Sequence, residues 1–147
     1  MTNRYILDTN VVSELCKKKS DKGVVDFVSG LDSFWLSVIT IHELMYGIEL
    51  LPIGDRRTRL LATVQEFTDS YSAQLIDVDY GVACLAGEYR ARCRLAGITL
   101  HFADSLIAAS SGKHSGLIVA TRNVDDFANC PVVLHNPFSA NSSHKCN

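Results

Sequence analysis

The chain is predicted to be an α/β protein, a three-layer α/β/α sandwich around a mostly parallel sheet, and three observations support this. Short apolar runs of strand length alternate with segments of helical periodicity. Those runs are apolar through their centres, the pattern of strands covered on both faces. The chain has 147 residues, enough for one domain with a substantial core, and its 47% apolar and 20% charged residues are those of an ordinary globular protein.

In chain order, "RYIL" reads as the first strand, "VVSELCKK" as a short helix and "GVVDFVSGL" as a second. "FWLSVI" is a strand of aromatic and branched residues. "TIHELMYGIELL" spaces Ile41, Leu44, Met45 and Ile48 as one helical face, and Pro52 with Gly54 closes it. Residues 55–70 form another helix, and "AQLIDV" a third strand. The next helix carries the stripe Val82, Leu85, Ala86, Tyr89, Cys93, Ala96, with a basic outer face, and stops at Gly97. "FADSLIAASSG" is a shorter helix of small residues, "LIVAT" a fourth strand, and "VVLH" an edge strand before Pro137.

A single domain is expected over residues 1–138, with 139–147 a loose polar tail; the chain has no internal repeat or linker. No run approaches the roughly 18 apolar residues of a membrane helix, and the amino terminus lacks a signal-peptide pattern, so a cytoplasmic protein with no membrane partner is expected. The five cysteines, at 16, 84, 93, 130 and 146, form no CxxC pair and read as reduced thiols. Cys93, on its apolar stripe, reads as a small core residue. A net charge of −2 gives no global nucleic-acid signature, so any such binding is local.

Four acids fall near element boundaries: Asp8 after the first strand, Glu43 in the first turn of its helix, Asp104 opening another, and Asp126 after the fourth strand. Each has an ordinary structural reading. Asp8 can cap the following helix, Thr40-Ile41-His42-Glu43 matches a capping box, Asp104 suits the positive end of a helix dipole, and "RNVDDF" can be a polar turn. As a set they read differently, because strand carboxyl ends in a parallel sheet share one rim, where α/β sheets place their ligands. Acids so gathered repel, which calls for a divalent cation or a retained proton. Oxygen donors favour magnesium or manganese, which can orient water and offset charge on a phosphodiester.

Other site chemistries fail on their spacing. "HELMY" has Tyr46 where a zinc protease needs its second histidine, and there is no phosphate-binding GxxxxGKS/T loop, no GxGxxG turn and no GxSxG elbow. His101, near Asp104, reads as a surface or capping residue, with a base or substrate contact as the alternative. An aspartyl phosphotransferase of the haloacid-dehalogenase type would need a second aspartate at position 10, which is Asn10.

The stretches "ILDTNVVSEL", "SVITIHELMYGIE", "ADSLIAASSGKHSGLIVATRNVDDF" and "NPF" together resemble the PIN-domain ribonucleases, within them the VapC and FitB type toxins of bacterial toxin–antitoxin pairs. The resemblance runs in order over nearly the whole chain. It implies a magnesium- or manganese-dependent endoribonuclease, an antitoxin partner that inserts into a groove, a homodimer, and a larger assembly that binds operator DNA through the antitoxin. By position, Asp8 and Asp104 match the family's metal ligands, Glu43 the third acid, and Gly47 the glycine of that helix. Where many members have an acid directly after "TR", this chain has Asn123, an uncharged oxygen donor. Asp126 is assigned as the fourth acid, with Thr121, Asn123 and Asn10 in support; Asp125 is the weaker candidate.

Arg90, Arg92 and Arg94 are candidate contacts for RNA phosphates, with a solvated basic face or an antitoxin anchor as the alternatives. Lys17, Lys18 and Lys19 read as a solvated helix end. The apolar residues around "LMYGIELL" suit a dimer contact, an antitoxin groove or a buried core helix. Asn123 motivates a second functional reading, a catalytically weak scaffold that serves as binding partner and co-repressor with its antitoxin.

Overall fold

A computed structural model describes residues 2–114 and 116–140. The strands are β1 (Arg4–Leu7), β2 (Trp35–Ser37), β3 (Leu75–Ile76), β4 (Leu117–Ala120) and β5 (Leu134–His135). They form one sheet in the order β3-β2-β1-β4-β5, and every pairing is parallel. The central strand β1 pairs with β4 from Arg4↔Leu117 to Leu7↔Ala120, and its pairing runs on to the Asp8 amide, which donates to the Ala120 carbonyl at 2.9 Å. The carboxyl ends of β1, β2 and β4 therefore lie side by side on one rim.

The helices are α1 (Thr9–Leu15), α2 (Lys22–Ser29), α3 (Val38–Glu49), α4 (Asp55–Ser70), α5 (Tyr80–Leu95) and α6 (Phe102–Lys113). Alternation along the strands divides the core between two layers. Ile6, Leu117 and Val119 face α5 and α6 in one cluster, whereas Leu7, Leu36 and Ala120 face α1 to α4 in the other. The first layer is close-packed by small residues, with Ala108 and Ala109 fully buried. A cluster of Phe34, Phe67 and Tyr71 fills the second, with ring centroids 4.7–6.4 Å apart. Gly97 ends α5 at φ +80°, a conformation that suits glycine at a helix end.

Three strands are shorter than their sequence patterns suggest, "VVLH" among them, of which only Leu134–His135 is strand. "FWLSVI" gives only Trp35–Ser37 as strand, because the Ser37 side chain accepts from the Ile39 amide at 3.1 Å and starts α3 at Val38. Glu43 then lies in the second turn and Thr40 is buried inside the helix, so the capping box expected at 40–43 is not formed. "AQLIDV" yields only Leu75–Ile76, since Ser72–Gln74 coil into a 3-10 turn before it.

Position 139, expected to open the loose tail, is docked. The Ser139 amide and hydroxyl both donate to Asp21 Oδ1 at 3.0 Å, and the Gly23 amide donates to Ser139 Oγ at 3.1 Å. Residues 141–147 of that tail lie outside the described residues. Cys93 is buried on its stripe as expected, and Cys16, Cys84, Cys93 and Cys130 are free thiols. Among the described residues no helix is long and apolar enough to cross a membrane.

Candidate active site

The site is built where β1 and β4 end beside the starts of α3 and α6. Asp8 follows β1 and caps α1: Oδ1 accepts from the Thr9 amide at 2.7 Å. Its Oδ2 accepts from Thr121 Oγ1 at 2.8 Å and from Asn10 Nδ2 at 3.1 Å. Both readings of Asp8, cap and site acid, thus apply to one carboxylate. Asn10 Nδ2 also lies 3.2 Å from Thr121 Oγ1, and Asn10 Oδ1 accepts from the Arg122 amide at 3.0 Å, tying the end of β1 to the loop after β4. Thr121 is fully buried and its hydroxyl accepts from the Asn123 amide at 3.0 Å.

Glu43 reaches this network through Thr9, whose hydroxyl donates to Glu43 Oε1 at 2.6 Å. Thr9 therefore holds two acids at once, Asp8 by its amide and Glu43 by its side chain. Sequence reasoning did not single it out, because the contact spans 34 positions and depends on β2 lying beside β1. Its place between Asp8 and Asn10 was the one available signal.

Asp104 enters from the first turn of α6. Desolvation pushes its carboxyl up to about 7, and the charges of Asp8, Asp126 and Glu43 add to the shift, with His101 opposing it. Asp8 is also raised, chiefly by burial and further by Glu43, against the hydrogen bonds from Thr121, Thr9 and Asn10. The four acids named from the sequence thus share one electrostatic field. Asp126 is among the leading charges acting on Asp104. Asn123 is exposed, and its side chain does not cap the 3-10 turn Val124–Phe127.

Among the described residues, no three His, Cys, Asp or Glu side chains converge closely enough to form a ready metal cage. The donor set nonetheless suits a hard divalent cation. It consists of carboxylate oxygens whose mutual repulsion adds to the burial that lifts Asp104 to about 7, an unfavourable charge that a cation among them would offset.

The basic residues divide. Arg90 and Arg94 border one cleft with Thr99, whereas Arg92 bears on Tyr89 and Cys130 at the other side of α5. The structure therefore does not bring the three arginines together, since positions two apart lie on opposite sides of a helix. Lys17, Lys18 and Lys19 are exposed, as a solvated helix end should be; Lys17 also pairs with Glu14 at 2.7 Å, and Lys17 and Lys18 border a groove between α1, α3 and α4. That groove holds about 450 Å³, with Thr9 and Glu43 on its wall, Leu44, Ile48 and Leu60 as apolar lining and Arg56 and Arg59 also bordering it. Gly47 lines it too, and no atom stands within 4 Å of where a Cβ would be. On α3, Leu44 and Ile48 are buried while Tyr46 and Leu50 are exposed, so apolar residues do occupy more than one face.

The chain is similar to the VapC ribonuclease Y4jK of Sinorhizobium fredii, 30% identical over 90% of this chain and 96% of that one. It is 32% identical to the toxin FitB of Neisseria gonorrhoeae, over 90% of this chain and 97% of the relative. Among solved structures, FitAB bound to an IR36 DNA fragment superposes with a TM-score of 0.83 at 29% identity, covering 92% of this chain and 96% of that one. The PIN domain model matches residues 5–132, which contain all four acids of the rim. With that match across most of its length, on a parallel sheet whose rim gathers Asp8, Glu43, Asp104 and Asp126, the chain belongs to the PIN-domain family.

Proposed function

We propose that this chain is a divalent-metal-dependent endoribonuclease, the cytoplasmic toxin of a toxin–antitoxin pair. The observation that carries the reading is the shared field of Asp8, Glu43, Asp104 and Asp126 on one rim, in a chain similar to proteins named as ribonuclease and toxin. Asp8 and Asp104 would hold magnesium or manganese, which when bound offsets the negative charge of the rim and of the phosphodiester and makes water a better nucleophile. The protein's own part is positional. Thr121, Asn10 and the Thr9 amide fix both oxygens of Asp8. The Thr9 hydroxyl occupies Oε1 of Glu43, leaving Oε2 to orient the attacking water. Asp126 completes the acidic rim, with Asn123 as an uncharged donor beside it.

The partner is a cognate antitoxin that docks in the groove between α1, α3 and α4. That groove combines an apolar lining with the cations of Lys17, Lys18, Arg56 and Arg59 and reaches Thr9 and Glu43. An amphipathic segment bearing acidic residues fits this chemistry and would close the site. We infer a homodimer of toxins that binds operator DNA through the antitoxin, a reading supported by the similar FitAB structure, which is bound to a DNA fragment.

The test is conditional expression of the wild type and Asp104→Asn in bacteria, with RNA ends mapped, followed by cleavage assays on purified protein. Growth arrest and discrete RNA ends with the wild type alone, abolished by chelation and restored by manganese, are expected, with a loss of roughly 10²-fold or more in the variant. Equal behaviour of the two chains would instead favour the scaffold and co-repressor reading.

A further inference from the structure

Beside the acidic rim lies a second cleft, between α3, α5 and α6, of about 290 Å³. Its lining is almost wholly apolar, with Ile39, Val78, Ala86 and Leu106 among the residues. Gly87 lines the cleft, and no atom stands within 4 Å of where its Cβ would be, so a larger side chain there has room to enter it. The wall on the α6 side is Phe102, a large aromatic left 63% exposed. Arg90 lies over that ring, its guanidinium carbon 5.7 Å from the centroid, and is steadied by Nε donating to the Leu100 carbonyl at 3.3 Å. Arg90 also borders the adjoining cleft of about 320 Å³ with Arg94 and Thr99.

The position matters as much as the chemistry. Phe102 shares the first turn of α6 with Asp104, though on another side of the helix, and Ile39 lies one turn before Glu43 on the same face of α3. An apolar slot, an exposed aromatic face and a fixed guanidinium together meet the two needs of single-stranded RNA, stacking for a base and a cation for its phosphate.

We propose that this cleft is a nucleobase subsite: one unpaired base of the RNA strand stacks on Phe102 above the space left by Gly87, while Arg90 and Arg94 hold the adjoining phosphates. The subsite takes its ligand class from the ribonuclease reading, but its measurement does not depend on cleavage. The probes are a labelled single-stranded oligoadenylate and an abasic ribose-phosphate chain of equal length. Both are titrated against full-length Asp104→Asn protein, alone and combined with Phe102→Ala, Phe102→Trp or Gly87→Leu. Phe102→Ala and Gly87→Leu should each weaken oligoadenylate binding roughly tenfold, Phe102→Trp should bind like the parent, and none should alter binding of the abasic chain.

Unchanged oligoadenylate affinity in Phe102→Ala and Gly87→Leu, or an equal loss on the abasic chain, overturns the proposal. Unchanged affinity together with altered sedimentation would also overturn it and assign the cleft to a contact between copies of the chain. A base-dependent difference without RNA cleavage by the wild type would sink the ribonuclease reading and leave the subsite standing. Cleavage without that difference would do the reverse. Because Phe102 is exposed and leucine is the better helix former at position 87, both variants should fold, which thermal melting checks.

Discussion

Asp8 and Asp104 share one rim and one negative field, but their surroundings differ in kind. Asp8 is 4% exposed and receives hydrogen bonds from Thr9 and Asn10 at the start of α1 and from Thr121 just past β4. Asp104 is half-buried, with no hydrogen bond to its carboxylate among the described residues, and desolvation with three neighbouring acids lifts it to about 7. The β1 end is thus preorganised by the chain itself, whereas the α6 end stays electrostatically unsatisfied until something positive or a proton arrives.

Breaking the preorganised side should give the larger stability effect. Thr121→Val keeps the shape but removes the donor to Asp8 and the acceptor used by Asn10 and the Asn123 amide, all at a fully buried position. A loss of about 1–3 kcal/mol is expected, read from denaturant unfolding.

The unsatisfied side should respond with the opposite sign. A carboxyl raised to about 7 in the folded state, against roughly 4 when unfolded, means that the native protein binds the extra proton between those values. That contribution is fully present below the unfolded value and is lost as pH rises through about 7. The melting temperature of metal-free protein should therefore fall as pH rises across this window. Asp104→Asn should flatten the slope and melt higher than wild type at pH above 7, and added manganese should restore the wild type. A wild-type slope unchanged in the variant would remove Asp104 as its source.

The smallest expected effect tests the link between the two acids held by Thr9. Thr9→Val leaves the amide on Asp8 but removes the hydroxyl on Glu43. A stability change of about 1 kcal/mol or less is expected, with a fall in kcat, little change in KM and recovery in Thr9→Ser. A matching loss in Thr9→Ser would show that packing, not the hydroxyl, is what matters.

Much of this was legible in the chain. Apolar strand centres and helical stripes gave the layers, and the order of four acids relative to those elements placed them on one rim. What the sequence hid was local competition and distant pairing. Val38 and Ile39 have strand-like side chains, yet a serine hydroxyl at position 37 captures an amide and turns them into the first helical turn. The arginines looked like one basic face, but the helical repeat sends Arg92 away from Arg90 and Arg94. Thr9 was invisible as a support for Glu43, because no local pattern records a contact between residues 34 apart.

The pairing of β1 with β4 bears on the order of events during synthesis. Asp8 acquires its Thr121 partner across 113 positions, and the central strand is completed only when residues 117–120 are available. A nascent chain still missing its last third carries Asp8 and Glu43 but neither Asp104 nor the strand that locks the rim. Such non-local closure comes late in folding. The full acidic rim can therefore assemble only after the chain has been made through Asp126, well after Asp8 and Glu43 have emerged.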